Sequence, residues 1–236
     1  MSTANAKHPK GRTGLIVGVS VFIVIALAVA FIPLIMMLFN SGVKTEGIDD
    51  TALREPTTEI DGTWTVTKRP GANSTSAGFT FNEVLPGERK TTSGSTQGVT
   101  GAVVIEAGTL QSGDVTVDMT NLTTDSDVRD NNVRRKIFHT DQYPESTFVI
   151  TEPADLSALA DTGGIGQIEL TGDLTIHGET NAITHTFDVV RSGDRLIVAG
   201  DIPINRLDYG VETPEFVAAT IAEEGEINIR LNLAKD

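Results

Sequence analysis

The sequence contains no cysteine, and its other nucleophiles and potential metal ligands fall into no recognised catalytic spacing. It has no G-x-S-x-G elbow, no phosphate-binding loop and no H-E-x-x-H pair. His8, His139, His177 and His185 share neither H-x-H nor H-x-x-x-H spacing, which argues against a metal site. Acidic residues are plentiful, yet no pair stands out as a glycosidase dyad. Three groups could still do the chemistry of recognition. Arg129, Arg134, Arg135 and Lys136 could grip a phosphate or other anionic head, because guanidinium binds such groups bidentately. They could equally form a solvated helix face complementing the helix dipole, with Arg129 paired to a nearby carboxylate and Asp130 as a capping-box residue. His177 reads as a turn histidine and His185, in phase with Ile183 and Phe187, as a core one. Arg206, Asp208 and Tyr209 read as a structural Arg–Asp pair with a tyrosine plug, or as a polar contact to a ligand. No catalytic residue, metal ligand or cofactor is expected.

Charge and composition narrow the partners. The 236 residues carry a formal charge of −14, and from Lys44 onward 15 basic residues face 32 acidic ones. Nucleic acid and anionic headgroup surfaces both reward a basic face, so neither is an expected docking partner. Only 12 aromatic residues are present, few for a protein that stacks bases or sugars.

The N-terminal region is of another kind. No charged residue occurs among the 31 from Thr13 to Val43, and Leu15 to Phe39 is almost wholly apolar. As a helix those 25 residues would reach about 37 Å, enough to cross a hydrocarbon core of about 30 Å with some tilt or a bend at Pro33. Lys7, Lys10 and Arg12 precede the stretch and a mostly acidic segment follows it, which places the N-terminus in the cytoplasm and the remainder outside. A cleaved signal peptide ending near Ala28-Val29-Ala30 is the competing reading, but the apolar run continues for nine more residues. The expected organisation is a cytoplasmic N-terminus (1–13), a transmembrane helix (14–39), a polar linker (40–59) and one extracytoplasmic domain (60–236).

That domain alternates with period two. Ile168, Leu170, Leu174 and Ile176 alternate with Glu169, Thr171, Asp173 and Thr175; Ile183, Phe187 and Val189 do the same, as do Val115, Val117 and Met119. Leu196, Val198, Ile202, Ile204, Ile227, Ile229 and Leu231 extend the pattern toward the end of the chain. Strict alternation buries one face and wets the other, the mark of antiparallel strands. Gly-containing turns at 112–114, 163–164, 177–179 and 192–194 separate eight or nine such strands, which must stack as a sandwich or close as a barrel. Pro203 fits an edge or a closing seam. One segment breaks the rhythm: Val133 and Ile137 at helical spacing, with Asp127 as N-cap, predict a short helix lying across one barrel mouth.

The same segment carries a family resemblance. The stretch VRDNNVRRKIFHTDQYPESTF, the hairpin LTGDLTIHGET and the element INRLDYGV, in that order, resemble the motifs of the YceI-like family over Trp64 to Leu233. The resemblance implies an all-β fold: an extended eight-stranded antiparallel, lipocalin-like barrel with one short inserted helix. It also implies a long interior that binds a polyisoprenoid or similar amphiphilic lipid. The family's opening strand departs here, since Ser74 and Glu83 in STSAGFTFNE stand where histidines are usual.

The expected function is a membrane-anchored, extracytoplasmic lipid binder, not an enzyme; a cell-surface scaffold without a small ligand is the alternative. By inward parity and bulk, the expected lining is Phe79, Phe81, Val117, Met119, Phe148, Leu170, Leu174 and Phe187. Phe138 joins them from the helix, and Arg129 and Arg134 are the candidates for a head group. The sequence does not set an oligomeric state.

Overall fold

The structure, a computed structural model, describes residues 44–85, 88–157, 159, 163–213 and 220–236. The expected cytoplasmic N-terminus and transmembrane helix lie outside the described residues. Among the described residues no helix is long and apolar enough to cross a membrane.

Eleven strand segments form one continuous antiparallel wall: β1 (Gly62–Val66), β2 (Ser76–Leu85), β3 (Glu88–Thr96), β4 (Val99–Glu106), β5 (Thr109–Asp118), β6 (Glu145–Ile150), β7 (Ala154–Asp155), β8 (Gly166–Ile176), β9 (Glu179–Ser192), β10 (Arg195–Asn205) and β11 (Thr220–Lys235). They reduce to eight staves. β1 and β2 lie in tandem along one edge of β11, with Trp64 opposite Lys235 and Phe79 opposite Ile227. β3 and β4 continue one another in the same way, β3 on β2 and β4 on β1. β6 and β7 both pair with β5. Each stave is bonded to the next in sequence, and the pairing of β11 with β1 and β2 closes the ring. Of the sandwich and barrel that the alternation allows, this is the barrel, with the eight antiparallel strands that the family resemblance implies, and full closure removes the sheet edges a meander would otherwise expose.

The ring is uneven in two places. β9 and β10 pair only between Asp188–Ser192 and Arg195–Ala199, after which β10 runs on with β11 alone. Pro203 lies in that part, where a residue without an N–H is best tolerated. β3 loses a strand neighbour beyond the single bridge from Ser95 to Thr123. There the chain turns into α1 (Asp127–Asn132), which continues as a wider π turn over Val133–Ile137. Val133 and Phe138 pack with Phe79, Phe81, Met119, Leu122, Leu174 and Ile176, so the helix closes that end. Its N-cap is Ser126 rather than Asp127, and the Ser126 side chain makes no capping bond. Asp130 reaches past the cap instead: its carboxylate accepts from the Thr124 N–H (2.5 Å) and hydroxyl (2.6 Å), pinning the incoming chain.

The opposite end holds the larger core, built around Trp64, Ile105, Leu110, Leu156, Leu196 and Leu233. Trp64 is 1% exposed and donates its indole N–H to Ile60 O at 2.7 Å. Residues 44–59, expected as a spacer, are fastened to the barrel. Thr45 bonds to Ser76 at 2.7 Å, Asp49 N–H donates to the Asn73 amide oxygen, and Arg230 donates to the carbonyls of Glu46 and Gly47. Arg54 N–H donates to Ser192, and Arg191 to the Thr58 carbonyl. The outward residues of β2 and β11 thus offer the polar partners that an extended segment needs, and Asn73, Thr75 and Asn228 are buried beneath it.

The inward phenylalanines are placed by glycines on neighbouring strands. A Cβ added to Gly94 or Gly200 would come within 2.7 Å of the rings of Phe79 and Phe187, and one on Gly172 within 2.6 Å of Phe148; Gly225 stands in the same relation to Phe81. Gly200→Ala is therefore expected to push Phe187 off its rotamer and cost about 1–3 kcal/mol. Thermal unfolding would register this as a lower Tm, with part of the loss recovered when Phe187→Leu is added.

Candidate ligand-binding site

Alternation along every stave sends one row of side chains into the barrel, and glycine-backed rings keep those side chains from meeting at the axis. The result is an apolar cavity of about 130 Å³. Its wall takes in residues from both barrel ends, from Leu196 and Leu233 to Met119 and Phe138. That volume is close to the roughly 150 Å³ of an engineered apolar cavity that stays dry and takes up benzene. The wall is nearly all aliphatic and aromatic. One exception is Ser146, whose buried hydroxyl has no hydrogen-bond partner.

Of the residues expected to line the interior, Phe79, Val117, Met119, Phe138, Phe148, Leu170, Leu174 and Phe187 border this cavity. Phe81 does not; it borders a second cavity of about 50 Å³ at the helix end. The two chambers share Phe79, Phe138, Ile176 and Ile227, and the rings of Phe79 and Phe138 stand 5.4 Å apart, centroid to centroid. The same periodicity also brings in Ile168, Val189, Ile202 and Leu231, which ring size alone would not select.

Arg129 and Arg134 border neither cavity. Arg129 forms an ion pair with Asp125, one turn earlier, and Lys90 reaches the same carboxylate at 3.2 Å. Arg134 donates to the Leu122 carbonyl at 3.1 Å, while Arg135 and Lys136 are exposed. The basic run therefore ties the helix to its surroundings on the outside of the barrel and does not converge on an interior anion site.

The element after β10 (Arg206–Tyr209, a single 3₁₀ turn) replaces the expected Arg–Asp pair with a different arrangement. Asp208 is exposed. Arg206 is buried and donates to the carbonyls of Val211, Ile221 and Ala222. Tyr209 is buried and borders the second chamber, so the plug is real; burial raises its phenol pKa above the ordinary value.

His177 and Gly178 form the β8–β9 hairpin turn with φ of 54° and 82°, the left-handed pair that a type I′ turn requires. The His177 ring packs on Tyr143 (4.3 Å) and His139 (5.6 Å), and its Nε2 is buried without a partner. His185 stands edge-on to Phe187 at 5.0 Å, half-buried, and borders neither chamber. Among the described residues, no group of three or more His, Asp or Glu side chains is placed to hold a metal ion.

Burial, and next the neighbouring His139, hold the His177 imidazole below its ordinary value of 6.5. The unfolded chain then takes up this proton near 6.5, whereas the folded protein resists until lower pH. The neutral ring's contribution is complete above 6.5 and is lost as pH falls from there through the depressed folded value. Tm is expected to be lower at about pH 5.5 than at about pH 7.5. His177→Asn, which also tolerates a positive φ, should shrink that difference.

Comparison with known proteins matches residues 64–233 to the family described as "YceI-like domain". No curated protein sequence matches the chain. Among solved structures, a polyisoprenoid binding domain from Saccharophagus degradans, implicated in plant cell wall breakdown, superposes with a TM-score of 0.55. It is 21% identical, over 68% of this chain and 94% of that one. BcnA from Burkholderia cenocepacia superposes with a TM-score of 0.50 at 23% identity, over 65% of this chain and 95% of that one. At these identities the likeness establishes the shared fold.

Proposed function

This chain belongs to the YceI-like domain family, and from that premise we propose that its barrel sequesters or carries a polyisoprenoid or similar long-chain amphiphilic lipid. The observation that carries the reading is an apolar cavity left unfilled along the interior of a closed barrel. Such a cavity forgoes the dispersion contacts of a packed core, a cost that an apolar guest offsets. The described polyisoprenoid-binding relative from Saccharophagus degradans, which shares the fold, supports the same class of guest. Each Å² of apolar surface the guest buries contributes about 25 cal/mol, so affinity comes from the tail and no chemical step is required.

The size of the cavity sets a condition. A guest longer than a benzene-sized fragment needs the Phe79–Phe138 partition to turn aside, which joins the two chambers into a longer channel. The apolar N-terminal stretch supports a single-pass anchor in the cell membrane with the barrel on the extracytoplasmic side, where such lipids are reached from the bilayer.

Full-length protein extracted in mild detergent is expected to release a long-chain lipid detectable by mass spectrometry. Leu170→Trp fills the cavity from its wall and should retain the fold while losing that lipid. Wild-type protein that carries no lipid, and takes up none when offered a polyprenol in solution, would overturn the reading.

A further inference from the structure

Arg206 is a buried cation, 8% exposed, at the helix end of the barrel. Its guanidinium donates through Nε to the Ala222 carbonyl (3.2 Å), through Nη1 to Val211 (2.5 Å) and through Nη2 to Ile221 (3.4 Å). These carbonyls satisfy three N–H groups and bring no formal charge. Among the described residues no carboxylate pairs with Arg206. A buried charge is strongly disfavoured unless a counter-charge meets it, so its retention at this position calls for a partner.

The surroundings indicate where that partner sits. Arg206 borders the 50 Å³ chamber, and so does Thr92, 6% exposed, whose Oγ1 has no hydrogen-bond partner. The chamber shares Phe79, Phe138, Ile176 and Ile227 with the large apolar cavity, so a molecule with its tail in one can place its end in the other. At about 50 Å³ this chamber is much the smaller of the two, a size that suits a compact head group. Glu83 also borders the chamber, and a carboxylate at the wall opposes a doubly charged head more than a singly charged one.

We propose that this chamber is the head-group pocket of the barrel and takes a compact, singly charged oxyanion. The head is a carboxylate or a singly ionised phosphate on an amphiphile whose tail runs into the large cavity. Arg206 supplies the counter-charge and the free remainder of its N–H fork; Thr92 supplies a hydroxyl donor. The proposal rests on the lipid-binding reading above and adds the polarity and charge of the lipid's end.

The test is calorimetric titration of the delipidated full chain, in a non-ionic detergent, with dodecanoate, dodecyl phosphate and dodecanol. One or both anions should bind about tenfold more tightly than the alcohol of equal chain length. Whichever anion binds more tightly identifies the source of the head. Thr92→Val should reduce the preference for anions over dodecanol, and Glu83→Gln should increase it. Arg206→Met should abolish the preference; because Arg206 also bonds three carbonyls, the Thr92 and Glu83 variants decide the matter if that protein does not fold. Equal binding of all three ligands overturns the head-group assignment and leaves the lipid reading standing. Binding of none overturns both.

Discussion

Four phenylalanine rings lie in the space that side chains would fill on glycines of adjacent staves: Phe79 at Gly94, Phe81 at Gly225, Phe148 at Gly172 and Phe187 at Gly200. A barrel of eight staves is narrow enough for inward side chains to fill it completely. Here the bulkiest of them are drawn against the wall, because only a hydrogen occupies the neighbouring position. The interior stays apolar and incompletely filled as a result, and the cavity, its division by Phe79 and Phe138, and the binding role proposed for it all depend on that pairing of large with absent side chains.

The two ends of the barrel are finished by different means. At one, Trp64 and the leucines around it form a buried apolar cluster, and residues 44–59 are laid over the outer wall by hydrogen bonds to Asn73, Ser76 and Arg230. At the other, a short helix closes the gap beside β3 through Val133 and Phe138, and is held by Asp130 on Thr124 and by Arg134 on Leu122. That second end also gathers the less settled groups. His139 and His177 both have positive φ, the His177 Nε2 and Thr92 Oγ1 lack partners, and among the described residues no carboxylate pairs with the buried Arg206.

Much of this architecture could be read from the order of residues, and the reason is local. Period-two alternation fixes which side of a strand faces the core, so seven of the eight residues named as lining by that parity border the large cavity, and Phe138 joins them from the helix. Phe81 falls in the smaller chamber because Phe79 and Phe138 intervene, a partition made by contacts between distant segments. The arginines were less legible. Charge at helical spacing does not say which way a helix presents it, and Arg129 and Arg134 turned out to be spoken for by Asp125 and the Leu122 carbonyl. Arg206 was visible only as part of a triplet with Asp208; its burial and its choice of carbonyls depend on where β11 returns. Residues 44–59 read as a spacer because they lack large apolar groups, yet apart from side-chain contacts of Lys44 and Thr45 their anchorage is largely through backbone atoms, which leave no trace in composition.

The order of the staves also bears on how the protein assembles. Every stave but one bonds to its successor along the chain, so most of the wall can zip from hairpin to hairpin at little entropic cost. Only the last seam is remote, joining groups such as Thr65 and Asp236 that lie 171 positions apart. Before it forms, the greasy inner surface is an open sheet facing water. For the lipid-binding role proposed above, this order of closure lets an oily chain be wrapped by the nascent protein as well as threaded into a finished one.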